Sequence, residues 1–276
     1  MRVVESTQSW TEADNGGICV PTMGALHSGH RALISAAVDH GARPVVVTIF
    51  VNPTQFGPNE DYARYPRTFD ADCELCRETG ADVVFAPPVE EVYPGGAGAC
   101  YQPTLPTVAT TPQLEDAHRP GHFAGVCQVV HRLFELVRPT AAVFGEKDYQ
   151  QLCVIRAMVQ REGLGIDILG LPTIRDPDGL ALSSRNAYLA PAQRKRALGL
   201  SKALAAAADS ERATPAQAEQ AMRSVLLAHQ VRLDYAVVRD ARTLMPIDTF
   251  SEQPARAVIA GRVGTTRLID NADVSR

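Results

Sequence analysis

Two histidines three residues apart, set where an apolar run gives way to a glycine-bearing loop, are the first residues in this chain with chemistry to offer. They stand in Pro21-Thr22-Met23-Gly24-Ala25-Leu26-His27-Ser28-Gly29-His30. The short apolar run Ile18 to Val20 precedes them, and a helix-like stretch from about Gly29 to Asp39 follows. His27 and His30 therefore share one side of a helix start. Gly24 and Gly29 let the backbone approach a ligand closely. Free N–H groups at a helix start favour anions, so the stretch reads as a triphosphate cradle. The same spacing also serves a half-built metal site or a purely structural pair.

Three further stretches carry polar side chains at strand ends or near a turn. In Phe144-Gly145-Glu146-Lys147-Asp148-Tyr149-Gln150-Gln151, Gly145 suits a turn beside a nucleotide and Lys147 is a point charge suited to phosphate. Most such charged quartets are solvated turns. In Leu182-Ser183-Ser184-Arg185-Asn186, two hydroxyls and a guanidinium offer directed donors to phosphate oxygens. A capping loop ahead of Tyr188 and Leu189 is the plainer reading. In Phe50-Val51-Asn52-Pro53-Thr54-Gln55-Phe56-Gly57, Asn52 and Gln55 offer neutral amides to the hydroxyls and carboxylate of a small polar substrate.

Positioning these side chains takes a scaffold of alternating strands and helices. Val45 to Val51 is β-branched at nearly every residue, as in a strand buried on both faces of a parallel sheet. Val83 to Phe85, Ala142 to Phe144 and Ile166 to Leu169 repeat the theme. Between them lie helical stretches at Tyr62–Glu78, Ala124–Val137 and Gln150–Arg161. Val126, Val129, Val130, Leu133, Phe134 and Val137 recur at the spacing of one helix face. The expectation is an α/β fold with an open, mostly parallel, Rossmann-like sheet. Ligands then bind beyond the carboxyl ends of the strands, where the loops after Val20, Val51 and Phe144 converge. Asp176-Pro177-Asp178-Gly179 is a turn-rich hinge candidate. Beyond it, Ala/Leu-rich helices at about Pro191–Ala208 and Pro215–His229 precede strands at Tyr235–Val238, Ala257–Ala260 and Thr266–Asp270. Residues 1–175 are expected to form one domain and 176–276 a smaller α+β domain.

Composition narrows the function classes. Apolar residues make up 45% of the 276 and charged residues 21%, typical of a globular protein rather than a disordered one. The net charge of −4 comes without any Lys/Arg run, which argues against a nucleic-acid partner. No apolar run nears the roughly 18 residues of a membrane span, and the first residues do not read as a signal peptide. The expected location is the cytoplasm. Cys73 and Cys76 form a CxxC, but without a second pair or a His-x₃₋₅-His partner they read as packing residues rather than zinc ligands or redox centres.

Each stretch is ambiguous alone; their order is not. PTMGALHSGH, then IFVNPTQF, YPRT from Tyr65, HFAGV from His122, FGEKDYQQ and GLALSSRN from Gly179 to Asn186 together resemble the pantothenate synthetase family over about residues 18–271. HxGH and the serine-arginine segment also resemble the signatures of the wider nucleotidyltransferase superfamily. The resemblance implies ATP-dependent condensation of pantoate with β-alanine through a pantoyl adenylate. It implies a Rossmann-like domain with a small C-terminal lid, Mg²⁺ with the ATP, and a homodimer. By resemblance, Met23, Gly24, Ala25, Leu26, His27, Ser28, Gly29 and His30 line the ATP site, with Gly145, Glu146, Lys147, Asp148, Ile174, Leu182, Ser183, Ser184 and Arg185. His30 is the implied proton donor, and His27, Lys147 and Arg185 complete the catalytic set. Gln55 and Gln151 would hold pantoate, with Gln55 also near β-alanine.

Three departures stand out. The segment between Val4 and Ile18 is short, so the family's first helix is expected to be reduced or absent. Leu182 stands where Met is common. Asp70-Ala71-Asp72 retains only part of an acidic set proposed to hold metal, so no protein-held Mg²⁺ site is assigned. The rival readings are another nucleotidyltransferase of the superfamily and a non-catalytic nucleotide-binding protein.

Overall fold

The computed structural model describes residues 1–58, 60, 62–209, 213–250 and 253–275. The chain begins with β1 (Arg2–Val4), β2 (Ile18–Thr22), α1 (Ser28–His40), β3 (Val45–Ile49), α2 (Phe69–Thr79) and β4 (Val83–Phe85). Short helices α3 (Val89–Val92) and α4 (Glu115–His118) lead to α5 (His122–Val137), β5 (Ala141–Gly145), α6 (Tyr149–Glu162) and β6 (Asp167–Leu171). Then come α7 (Pro191–Ala197), α8 (Gly199–Ala208), α9 (Pro215–Ala228), β7 (Arg232–Asp240), β8 (Ala255–Val263) and β9 (Thr266–Asp273).

Strands β1 to β6 form one sheet in the order β1-β4-β3-β2-β5-β6, parallel throughout. Alternation along each strand divides its apolar residues between two faces. Ile18, Val20, Val45, Val47 and Val143 pack with Ile34 and Ala37 of α1 and with Cys73 and Cys76 of α2. Cys19, Val46, Phe85 and Phe144 face the other way, onto α5 and α6. Both faces are covered, which is why the strands read as unbroken apolar runs. Cys76 is fully buried, and burial pushes its thiol up to about 12, so it packs as a small apolar group.

The strand order reverses between β3 and β5, which lie on opposite sides of β2. β2 pairs with β3 over all five residues, to Thr22↔Ile49. With β5 it pairs only at Ile18↔Ala141 and Cys19↔Ala142. The carboxyl ends of β2 and β5 therefore part, and a crevice opens at that switch point.

Strands β7, β8 and β9 form a separate antiparallel sheet backed by α8 and α9, with a core of its own from Leu180 to Val274. Several boundaries differ from expectation. The Tyr62–Glu78 stretch divides into a single 3₁₀ turn at Tyr62–Arg64 and α2, because Pro66 interrupts the run. The Pro191–Ala208 run breaks at Leu198 into α7 and α8. Between β1 and β2 stand two 3₁₀ turns, Thr7–Ser9 and Glu12–Asp14, and no α-helix. Among the described residues no helix is long and apolar enough to cross a membrane.

Candidate active site

A cavity of about 240 Å³ fills the crevice, and loops following β2, β3, β5 and β6 wall it. Met23, His27, Gly29 and His30 border it from the β2 side, Gln55 from β3, and Gly145, Lys147, Asp148 and Gln151 from β5 and α6. Ile174, Leu182, Ser183, Ser184 and Arg185 close it from beyond β6. These four stretches, up to about 160 positions apart in sequence, thus share one space.

His27 is the N-cap of α1. Its Nδ1 accepts from the Gly29 N–H at 3.1 Å, while the His27 N–H donates to Nδ1 of His30 at 3.3 Å. A capping role for an imidazole demands a bare Nδ1, so each ring carries its proton on Nε2. The rings lie 4.2 Å apart, centre to centre. Burial pushes His30 down to about 3, and the charge of His27 adds to the effect. Burial also lowers His27, helped by Lys147 and opposed by Asp176 and Asp148. Both rings are neutral at pH 7, donors rather than cations.

The loop carrying them is held from α2. Asp72, 2% exposed, accepts from the N–H groups of Ala25 (2.9 Å) and Leu26 (2.8 Å) and from the Thr68 hydroxyl (3.0 Å). Gly24 has φ +79°, and a Cβ there would meet an Asp72 oxygen at 3.0 Å. Gly24, Ala25, Leu26 and Ser28 thus shape the loop without bordering the cavity. Glu146 also stands outside it, paired with Arg256 of β8 at 2.8 Å.

Gln55 is presented by a 3₁₀ turn at Pro53–Gln55 whose N-cap is Asn52. Asn52 is buried and saturated. It accepts from the Tyr93 hydroxyl and from Thr54, and it donates to the Gly125 carbonyl and to Gln55 Oε1. Its amide therefore serves the loop. Gln55 Nε2 donates to the Met23 sulfur at 3.2 Å, linking the two loops.

Tyr65, Arg119 and His122 also border the cavity, and the sequence assigned them no role. The stretches of Tyr65 and His122 were visible as YPRT and HFAGV; Arg119 stands just ahead of the latter. His122 donates from Nδ1 to the Gln55 carbonyl at 2.9 Å, and Arg119 donates to its Nε2 at 2.8 Å. Burial, then the Arg119 charge, push His122 down to about 4. Glu60 grips Arg119 with both carboxylate oxygens at 2.7 and 2.8 Å.

Lys147 lies 3.6 Å from Asp148 in the cavity wall, with its side chain 20% exposed. Ser183 accepts from the Arg185 N–H and caps a 3₁₀ turn at Ser184–Tyr188, so the capping reading and the cavity position coexist. The Asp176–Gly179 turn is the tip of a hairpin closed by an Arg175↔Ala181 bridge, and Arg194 pins it through Asp176 and Asp178.

The chain is similar throughout to proteins of one family. The family model described as pantoate-beta-alanine ligase matches residues 1–273. A pantothenate synthetase of Nocardioides sp. (strain ATCC BAA-499 / JS614) is 52% identical over 262 residues, covering 91% of this chain and 77% of that protein. One from Rubrobacter xylanophilus is 51% identical over 260 residues, covering 92% and 89%. The crystal structure of pantothenate synthetase from Thermus thermophilus superposes with a TM-score of 0.94 at 44% identity over the whole of both chains. That of pantoate-beta-alanine ligase from Francisella tularensis, complexed with beta-gamma ATP and beta-alanine, gives 0.79 at 32% identity, covering 99% and 98%.

Proposed function

Because the chain belongs to the pantoate-beta-alanine ligase family, we propose that it activates pantoate as an acyl adenylate in this cavity before β-alanine takes the acyl group. The overall reaction is the ATP-dependent joining of pantoate to β-alanine, giving pantothenate. Matching from end to end sets the wider superfamily aside.

In the first step a pantoate carboxylate oxygen bonds to the α-phosphorus of ATP, the bond to the β-phosphate bridge breaks, and pyrophosphate leaves. Negative charge grows on the α-phosphate and the departing group. Lys147 and Arg185 meet it as cations, and His27 and His30 as Nε2–H donors. The positive end of the α1 dipole adds to them. A neutral His30 lends a hydrogen bond to the departing oxygen rather than a full proton. Gln55 and Gln151, both in the cavity wall, hold pantoate. In the second step the neutral amine of β-alanine attacks the acyl carbon, the bond from that carbon to the phosphate oxygen breaks, AMP leaves, and the nitrogen gives up one proton to solvent. Holding amine and anhydride together supplies much of this acceleration, and Gln55 is placed to serve both acceptors.

Among the described residues no group of three or more His, Cys, Asp or Glu side chains is arranged to hold a metal. Asp72, the remnant of the acidic set, has both oxygens engaged by backbone N–H groups. A resident site does not fit these residues. Mg²⁺ belongs to this reading as part of the nucleotide substrate, held by phosphate oxygens and water.

Residues 1–175 serve in this reading as the nucleotide and pantoate domain, and 176–276 as the cover that keeps water from the anhydride. A cytoplasmic homodimer completes it on family grounds. Light scattering would then report twice the 29.7 kDa of one chain.

The observation that carries the proposal is the convergence of His27, His30, Gln55, Lys147, Gln151 and Ser183–Arg185 on one cavity. AMP formation from ATP and Mg²⁺ tests it, with pantoate and β-alanine added singly and together. AMP and pantothenate are expected only with both. Pyrophosphate release that requires β-alanine as well as pantoate from the first turnover would overturn the adenylate order.

A further inference from the structure

Two adjacent residues on β9 reach both walls of the cavity. Asn271, 3% exposed, donates from its side-chain amide to the carbonyls of Glu146 (2.8 Å) and Lys147 (2.9 Å). Its own Oδ1 accepts from Nε of Arg256 at 2.8 Å. Arg256 lies over the Tyr149 ring at 4.1 Å and pairs with Glu146, so the amide cannot turn around without losing three bonds. Asp270, also 3% exposed, takes Arg175 with both oxygens at 2.7 and 2.9 Å. Arg175 begins the hairpin in which the Ile174 carbonyl accepts from the Leu182 N–H. One wall carries Lys147 and the other carries Ser183–Arg185, and neither contains a residue of β9.

We propose that Asp270 and Asn271 are positioning residues for the phosphate chemistry, holding these two walls at a fixed separation. The C-terminal sheet is then a brace for the Lys147 turn as well as a cover. An amide is the group the site demands, because two inward carbonyls need two N–H donors and Arg256 needs an acceptor. This rests on the assignment of Lys147 to the phosphates.

The test is ATP affinity by calorimetry in Asn271→Ala, Lys147→Ala and the double variant, with steady-state kinetics for Asn271→Ala. Asn271→Ala should weaken ATP roughly fivefold, the scale of one well-placed hydrogen bond, and leave the pantoate KM within about twofold. If Asn271 acts through Lys147, the double variant binds ATP no more weakly than Lys147→Ala, within about twofold, because coupled residues are not additive. Multiplicative losses would overturn the proposal, as would a lower Tm with ATP affinity unchanged. Unchanged ATP affinity in Lys147→Ala would instead remove the phosphate assignment, and this inference with it. Should Asn271→Ala fail to fold, Asn271→Ser keeps one donor in place and enters the same cycle with the same expectations.

Discussion

The two histidines of the α1 loop are donors because of where their Nδ1 atoms point. Each Nδ1 is spent on a backbone N–H, so each ring shows an Nε2–H to the rest of the site. Protonating either ring breaks its cap and puts a charge beside another ring 4.2 Å away. Imidazole ¹⁵N spectra should therefore find His30 neutral, in the Nε2–H form, at pH 5, well below the ordinary 6.5 and above its value of about 3. An imidazolium signal for His30 at pH 6 would contradict this. Removing the donor should cost rate rather than fold. His30→Ala is expected to slow pyrophosphate release by about 10²–10³ with an unchanged circular dichroism spectrum. Near-normal turnover would end its place in the catalytic set.

At the scale of elements, the site depends on two close approaches that place loops rather than side chains. Helix α5 touches the Pro53–Gln55 turn through Gly125, where a Cβ would stand 2.4 Å from the Thr54 carbonyl oxygen. Backbone cannot yield as a side-chain tip does, so Gly125→Ala must push the turn off the helix, costing about 1–3 kcal/mol. Gln55 rides on that turn, so the pantoate KM should rise several-fold more than the ATP KM; equal rises would mean the disturbance is general. Asp72 is the second case. Asp72→Ala strands the Ala25 and Leu26 N–H groups and should cost about 2–3 kcal/mol in urea unfolding. The Mg²⁺ concentration for half-maximal activity should not move, and a large shift would return Asp72 to the metal. The strands and long helices that deliver these loops were legible in the sequence, because burial on both faces leaves unbroken β-branched runs at Val45–Ile49. His27, His30, Gln55 and Lys147 were legible from their types beside those runs. The strand order was not, since register with a distant strand leaves no local pattern. Neither were the parts of Arg119 and His122, which stand on the α4–α5 side and meet Gln55 only through the tertiary fold. Asp72 was left open for a related reason: an acidic side chain near a loop of this kind looks alike in sequence whether it binds metal or two backbone N–H groups.

Across the whole molecule, the two sheets are joined by charges that bear on acid stability. Glu115 of α4 accepts from Arg267 of β9 at 2.6 and 2.7 Å and from the Tyr235 hydroxyl of β7 at 2.7 Å. Burial alone would raise this carboxyl, but the Arg267 hydrogen bonds and charge, with Tyr235 and Arg119, hold it below its ordinary 4.5. A depressed carboxylate contributes stability that is present above pH 4.5 and lost as the pH falls through its folded value. His30 and His122, near 3 and 4 when folded and 6.5 when not, act in the same direction but earlier. Between pH 6.5 and about 4 the unfolded chain takes up protons on these rings that the folded chain refuses. Stability should therefore fall in two overlapping stages, the first from the histidines and the second, below pH 4.5, from Glu115 and from Glu60, which lies at about 2. Glu115→Gln separates them. At pH 7 it leaves Arg267 with Asp234 as its carboxylate partner, at a cost of about 3 kcal/mol, the range for breaking a buried pair. Urea midpoints at pH 7, 5.5 and 3.5 should show the upper stage unchanged in this variant and the lower stage flattened. A pH dependence below 4.5 identical to that of the unaltered protein would mean that Glu115 does not couple the two sheets to the proton concentration.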